Sequence, residues 1–468
     1  MEALTFVIDE SSKAPLYHQL YEWIKKEVRL GRIEPGSKLP SKRKLAAHLG
    51  FSQNTIQSAY NQLIEEGFVT SVEKKGYYVN QIDHLSSVPP PQPACDPSLY
   101  EENSPVLFDF AYQGVDPEIF PFSAWRKLMR DAINEYDREL LSLGDPKGYV
   151  ALREALAGYL YQSRGVNCSA QQIIISSGIE FLFQILIQIL DQDSAFGIED
   201  PGYEKLHVLF ETNRARCISL PIDEHGVQMD ALNNAGVDVM CITPSHQFPS
   251  GCVMPINRRS QVLNWANELP GRYIVEDDYD SEFKYSGRPI PALQGIDHNG
   301  KVIYVGAFSK SLSPAHRISY MVLPHELLNR YNLRMPFMIC PVPVLDQKVL
   351  SAFINEGYFE RHLNKMRTVY KKKREVLIRE VRAFGPAVSV LGADTGLHLL
   401  LEVRNGMTES QLVSSAYQEH VRVYGLSRYY YNQANLPDVP VIVIGFAQLS
   451  EGDICLAVQA LGRAWGLE

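Results

Sequence analysis

Leu16, Leu20, Ile24 and Val28 recur at every fourth position, with Tyr17 and Tyr21 beside them, and predict one apolar helix face. EPGSKLPS breaks that pattern at Pro35, Gly36 and Pro40. Ser41 is then placed to cap a second helix, KRKLAAHL, that stops at Gly50. A third helix starts at Ser52 or Gln53. Its apolar face is Ile56, Ala59, Tyr60 and Leu63, which leaves Gln53, Asn54, Thr55 and Gln57 for solvent or DNA. Gly67 ends it, and FVTSVEKKGYYV alternates around Lys74, Lys75 and Gly76, as a hairpin with a positive tip does. Residues 81–105 lose all periodicity, are rich in proline and serine, and read as a linker with a stiff segment at Pro89–Pro91. The chain thus divides into a head, residues 1–80, and a body, residues 106–468.

In the body, helical stretches alternate with short apolar runs. QQIIISSG, SAFGIEDPGY, DVMCITPSH, RYIVEDDYDSEF and KVIYVGAFSK each read as a buried strand ending in polar residues. Such alternation implies a mostly parallel sheet covered on both faces, an α/β body behind a small α+β head. Ligands in such folds sit at the carboxyl ends of the strands, where these polar residues fall. FLFQILIQIL, the most continuous apolar run, is too short for a membrane span and reads as a buried helix.

Composition narrows the function classes. The chain has 468 residues, enough for two or more domains, and 45% hydrophobic with 21% charged residues is ordinary for a globular protein. MEALTFVIDESSK lacks a basic start followed by an apolar core, so no secretory leader is expected. Seven scattered cysteines show no metal-type spacing and fit reduced thiols in a cytoplasm. The net charge of −9 is uneven: residues 1–80 carry 11 Lys and Arg against 9 Asp and Glu, and the rest carry 34 against 45. Only the head suits a polyanion.

Helix, tight turn, helix and basic hairpin make a winged helix-turn-helix, whose third helix offers polar N-terminal residues to base edges. LPSKRKLAAHLGFSQNTIQSAYNQLIEEGFV resembles the DNA-binding head of the GntR family over residues 12–80. By that resemblance Ser41, Arg43, Ser52, Asn54, Thr55 and Lys75 face DNA. Gln53 stands where that family usually has arginine, which removes one charge-assisted contact from the same surface.

The polar strand ends of the body form a coherent set. Lys310 follows the strand VIYVGAF, and a lysine held in a desolvated site has a lowered pKa and can form a Schiff base. Asp277 follows RYIVE, and a buried carboxylate needs a cationic partner such as a pyridinium nitrogen. Tyr279, two residues on, points to the same side and offers its hydroxyl to the ring oxygen. Ser177 and Gly178 precede a helix whose first amides suit a phosphate, and Ser309 and Arg317 complete that phosphate site. Tyr203 offers an aromatic plane to the ring.

GDPKGYVALREAL, DPGY, EDDYDSEF and SKSLSPAHR are similar, in sequence and in order, to the motifs of fold-type-I aminotransferases, over residues 106–468. The resemblance implies pyridoxal 5′-phosphate as cofactor, joined to Lys310 as a Schiff base, with Asp277 on the pyridine nitrogen and Arg317 on the phosphate. Where many of those enzymes have Asn-Pro-Thr-Gly, this chain has FPSG, Phe248–Gly251; His246 or Gln247 stands in for the missing asparagine.

A GntR head on such a body resembles the MocR subfamily of bacterial regulators. That resemblance implies double-stranded DNA with repeated half-sites as partner, a head-to-tail, domain-swapped homodimer, and a small-molecule effector. It also implies a body that senses and has no net enzymatic role. Arg428, in YGLSRYYY, matches the arginine that forks onto a substrate carboxylate. The GABA-responsive member uses a second arginine after its PGY segment; here Glu204 and Lys205 follow, and a lysine is a point charge without a fork. The leading expectation is a regulator that senses pyridoxal phosphate and controls vitamin B6 synthesis. A GABA- or other amino-acid-responsive regulator, and an aminotransferase with a DNA-tethering head, are the alternatives.

Overall fold

The computed structural model describes residues 6, 14–82, 106–134, 138–285 and 290–467. Most of the predicted linker, Pro89–Pro91 included, lies outside the described residues. The chain forms two compact units, residues 1–102 and 103–468.

In the head, α1 (Leu16–Arg29) buries Leu20, Tyr21, Ile24 and Val28. Leu16 and Tyr17, expected on the same face, are exposed, because the stripe is covered only from Leu20 onward. α2 (Lys42–Leu49) starts where the Ser41 hydroxyl accepts from the Lys44 amide at 3.3 Å. It ends on Gly50, whose φ of 70° is the left-handed cap that glycine adopts without strain. α3 (Gln53–Glu65) is capped by Ser52, whose hydroxyl accepts from Thr55 at 3.1 Å, and buries Ile56, Ala59, Tyr60 and Leu63. β1 (Val69–Val72) and β2 (Gly76–Val79) then pair antiparallel around Lys74. The predicted winged helix-turn-helix is present.

The body opens with β3 (Phe108–Asp109), α4 (Phe122–Asn134) and α5 (Val150–Arg164). An eight-stranded sheet follows, made of β4 (Ile173–Ser176), β5 (Ala195–Asp200), β6 (Arg216–Asp223), β7 (Gly226–Val227), β8 (Val239–Ile242), β9 (Tyr273–Asp278), β10 (Val302–Ala307) and β11 (Ser319–Val322). Its order is β4-β11-β10-β9-β8-β5-β6-β7, parallel from β10 through β6, with β11 and the edge strand β7 antiparallel to their neighbours.

Side chains alternate across this sheet. Ile303 and Val305 enter one cluster with α6 (Ile179–Ile189), α7 (Glu204–Thr212) and α10 (His325–Arg334). Val302 enters another with α8 (Met229–Asn234) and α9 (Ile256–Glu268), and Tyr304 packs with α5, α11 (Val344–Asn355) and α12 (Tyr358–Arg382). Helices cover both faces, and the central strands β8 and β10 and the start of β9 are apolar on both sides, as expected of a sheet without a wet side. A second, four-stranded sheet, β12 (Val388–Leu391), β13 (His398–Val403), β15 (Tyr424–Gly425) and β16 (Val441–Gly445), shares a core with α13 (Glu409–Gln418) and α14 (Glu451–Trp465). β14 (Val421–Arg422) pairs with β3. Among the described residues no helix is long and apolar enough to cross a membrane.

Candidate functional site

On the head, Ser41, Arg43, Ser52, Gln53, Asn54 and Lys75 are exposed. Thr55 is half-buried, and its hydroxyl lies 2.8 Å from that of Ser52, so both side chains serve the start of α3. Gln57, expected to be open, is engaged by Lys42 and Asn61. Lys74 has a φ of 57°, so the hairpin tip carries adjacent lysines on a sharp turn.

In the body, a cavity of about 170 Å³ lies at the carboxyl ends of the sheet. Lys310, Asp277, Tyr279, Tyr203, Gly178, Ser309, Arg317 and Lys205 line it, as the motifs predict. Ser177 and Arg428 are not among its lining residues. Tyr112 and Thr243 are, and the sequence reading missed them; Phe248, at the position of the missing asparagine, lines it too. Clefts of about 810 and 680 Å³ exist elsewhere, but neither contains Lys310 or Asp277.

β9 ends in three consecutive carboxylates, and each meets a different fate. Glu276 accepts from the amides of Leu293 and Gln294 at 2.8 and 2.9 Å. Asp278 accepts from Arg164 at 2.8 Å and from the Tyr304 hydroxyl. Asp277, between them, points the other way and has no hydrogen-bond or ion-pair partner among the described residues. Burial, then Asp278, Asp280 and Glu199, push its pKa up to about 7. A buried carboxylate facing a cavity without a partner calls for a positively charged group there.

Lys310 follows β10 in the loop that turns back into β11. Its ammonium donates to the Tyr112 carbonyl and stands 4.8 Å from the Tyr112 ring centre. Burial lowers its pKa to about 8, against an opposing pull from Asp280. An amine in that range is a ready nucleophile near neutral pH.

Gly178, between β4 and α6, has a φ of 94°, and a Cβ there would lie 2.1 Å from Arg317 Nη2. The backbone thus approaches Arg317 as only glycine allows. Arg317 Nη2 donates to Glu180 at 2.9 Å, and the guanidinium, with five donors, retains others for an anion at the start of α6. Tyr203 precedes α7, with its ring 6.2 Å from that of Phe248.

Two expectations change here. Arg428 is not free: Glu204 holds its Nε at 3.2 Å and its Nη2 at 3.0 Å, a two-point pair between positions that no local pattern connects. Neither His246 nor Gln247 takes the place of the missing asparagine at the cavity wall. Gln247 is spent on Glu199, the carbonyls of Pro201 and Phe248, and the Ser250 amide. His246 stands behind Tyr279, with Nδ1 3.0 Å from the tyrosine oxygen. Phe248 itself fills the wall.

The comparisons agree with this geometry. Residues 111–461 match the family described as aminotransferase class I and II, and residues 16–79 match bacterial regulatory proteins, gntR family. The chain is 40% identical to the HTH-type transcriptional regulator YdeL of Bacillus subtilis, over 99% of each chain. It is 29% identical to the probable rhizopine catabolism regulatory protein MocR of Rhizobium meliloti, over 98% of this chain and 95% of that one. It is 28% identical to the pyridoxine biosynthesis transcriptional regulator PdxR of Corynebacterium glutamicum, over 82% of each. Among solved structures, the α-aminoadipate aminotransferase LysN of Thermus thermophilus, complexed with N-(5′-phosphopyridoxyl)-L-leucine, is 25% identical. It superposes with a TM-score of 0.67, over 77% of this chain and 92% of that one.

Proposed function

The chain belongs to the MocR group of GntR-type transcriptional regulators, with an aminotransferase class I and II body, and we propose that it senses pyridoxal 5′-phosphate itself to control genes of vitamin B6 synthesis. The cavity residues fit that cofactor. Asp277 holds the pyridinium nitrogen and so gains the cation it lacks. Gly178, Ser309 and Arg317, at the start of α6, hold the phosphate. Tyr203 and Phe248 wall the ring and exclude water. When bound, the cofactor supplies an aldehyde for a primary amine and an electron-withdrawing ring. Lys310, with a pKa near 8, supplies the amine.

The observation that carries the effector reading is the Arg428–Glu204 pair. In an amino-acid site the arginine that forks onto a carboxylate must be open to the ligand, and here the protein's own carboxylate occupies it. A site whose carboxylate anchor is already filled suits a ligand that has none. The name of the C. glutamicum relative, a pyridoxine biosynthesis regulator, points the same way. A second reading, response to GABA or another amino acid, draws on Lys205 at the cavity wall.

The head binds DNA through α3 and the basic hairpin, and two heads of a homodimer read repeated half-sites. The exposed apolar side chains Phe122, Ile133, Leu141 and Leu143 on and after α4 suit a contact with a second copy.

The test is binding of the purified apo-chain to DNA upstream of its own gene, with and without pyridoxal phosphate and no amino acid added. A shift in affinity or footprint with the cofactor alone, blunted in Lys310→Ala, supports the proposal. A shift that appears only after an amino acid is added refutes it in favour of the second reading. Steady turnover of amino and keto acids, with no effect on DNA, makes the body an enzyme.

A further inference from the structure

Behind the cavity lies a buried group that the cofactor reading does not use. His246 Nδ1 is 2.9 and 3.0 Å from the two Asp280 oxygens, and 3.0 Å from the Tyr279 hydroxyl. The His246 and Tyr279 rings are stacked, with centres 5.8 Å apart. His398 covers His246 from the other side at 4.8 Å between ring centres, and its Nε2 lies 3.0 Å from the Pro249 carbonyl. Gly396 makes room for the group: a Cβ there would lie 2.0 Å from His246 Cε1 and 2.4 Å from Asp280 Oδ2. His246 Nε2 is buried without a partner.

Elementary hydrogen-bond rules fix the protons. A carboxylate offers only lone pairs, so the nitrogen that faces both Asp280 oxygens carries hydrogen. His246 is then the Nδ1–H tautomer, and its lone pair sits on Nε2, where no donor stands. The same Nδ1–H faces the Tyr279 oxygen, so on that side Tyr279 meets a donor and acts as acceptor. Its own hydroxyl proton is left for the opposite side, the cavity that Tyr279 lines. His398 donates Nε2–H to Pro249, and burial, then His246, keep its pKa well below the usual value, so it brings no charge to His246. The other ionisable groups near this cluster are Asp277, Tyr112 and Glu199, which with Asp280 act on Tyr279; Lys310, whose charge acts on His398; and Tyr285, whose hydroxyl donates to the Gly396 carbonyl at 2.8 Å. Although His246, Asp280 and His398 bring three ligand-type atoms within 4.8 Å of one another, hydrogen bonds account for the arrangement without a cation.

We propose that Asp280 and His246 are positioning residues that aim the Tyr279 hydroxyl proton into the cofactor cavity, in place of the side-chain amide that the Phe248–Gly251 segment lacks. The inference rests on pyridoxal phosphate occupying that cavity. A hydroxyl donated to the cofactor's ring oxygen favours the ionised form of that oxygen and lowers the pH at which the bound cofactor loses its proton.

The test is a pH titration of the visible absorbance of the full chain loaded with pyridoxal 5′-phosphate, for wild type, Asp280→Asn, Tyr279→Phe and the double variant. Each single substitution is expected to raise the midpoint by about one pH unit, the scale of one hydrogen bond to a charged group. The double variant should move it no further than one single does, since both remove the same contact. The direction separates positioning from simple charge. Asp280 helps hold the Lys310 proton, so loss of its charge alone lowers the midpoint. A lowered or unchanged midpoint in Asp280→Asn, or additive shifts in the double variant, overturns the proposal. A wild-type chain that takes up no cofactor overturns the cofactor reading and this inference together, whereas uptake with an unmoved midpoint overturns this inference alone. If Asp280→Asn fails to fold, nitrogen NMR of the histidines in the wild-type chain decides. His246 must carry its proton on Nδ1, and a proton on Nε2 refutes the proposal.

Discussion

Asp277 is a charge in want of a partner, and that has a measurable sign. Its pKa in the folded chain, about 7, lies above the ordinary value of 3.8. Between those values the unfolded chain has released the proton and the folded chain retains it, so stability of the apo-chain falls as pH rises through this window. The cost is fully present above about pH 7. Asp277→Asn is therefore expected to stabilise the apo-body near neutral pH by about 1–3 kcal/mol, and at the same time to abolish the stabilisation that pyridoxal phosphate confers. Thermal melts with and without cofactor check both halves. Glu204→Gln is expected to free Arg428. Because the pair is partly exposed, the gain in affinity for an amino-acid carboxylate is only about two- to fivefold, read by titrating the spectrum of the loaded protein. Lys310, Asp277 and Tyr279 were legible in the sequence because each stands at or just past the end of a short apolar run, and strand ends are where such folds bind ligands, whereas Arg317 was reached through the SKSLSPAHR motif. Glu204 against Arg428, and Asp280 with His246 and His398, were not: these contacts join positions far apart in the chain, and no periodicity records them.

Elements were legible where local chemistry sets them. Ser41 stands where the cap was expected and Gly50 where the stop was, and the third helix starts at Gln53, one of the two positions expected, with Ser52 as its cap. Ser52→Ala is expected to cost the head about 1 kcal/mol in denaturant unfolding. β11 lies outside the runs that the pattern singled out: it is four residues long and comes straight after the Lys310 loop. Its place next to the edge of the sheet, between β10 and β4, depends on pairing with β4, more than a hundred residues earlier. The start of α6 also makes a demand that only geometry reveals. At Gly178, alanine meets both a left-handed backbone and the Arg317 side chain. Gly178→Ala is expected to weaken cofactor binding about tenfold, since left-handed strain of roughly 1–2 kcal/mol falls on the turn that presents the phosphate site. Equilibrium titration of cofactor absorbance measures it.

At the scale of the whole molecule, the head carries little positive charge, so one head would make few phosphate contacts, and the proposed dimer would bring two heads to the DNA together. Gln53→Arg is expected to tighten binding and to steepen its salt dependence by about one unit of slope, read from binding isotherms at several salt concentrations. Loss of the dimer in Leu141→Glu, a residue 92% exposed, is the corresponding expectation for the body, checked by light scattering. The division into head and body was visible as a loss of periodicity, whereas the proposed surface between two copies leaves no such trace in one chain.

The lone carboxylate at the end of β9 has one more consequence. Without its cofactor the body opens more often, and a chain that opens more often is cut more often by proteases. Vitamin scarcity would then reach the cell through the regulator's abundance as well as its grip on DNA: molecules emptied of cofactor would disappear first, and the surviving pool would be weighted toward loaded ones.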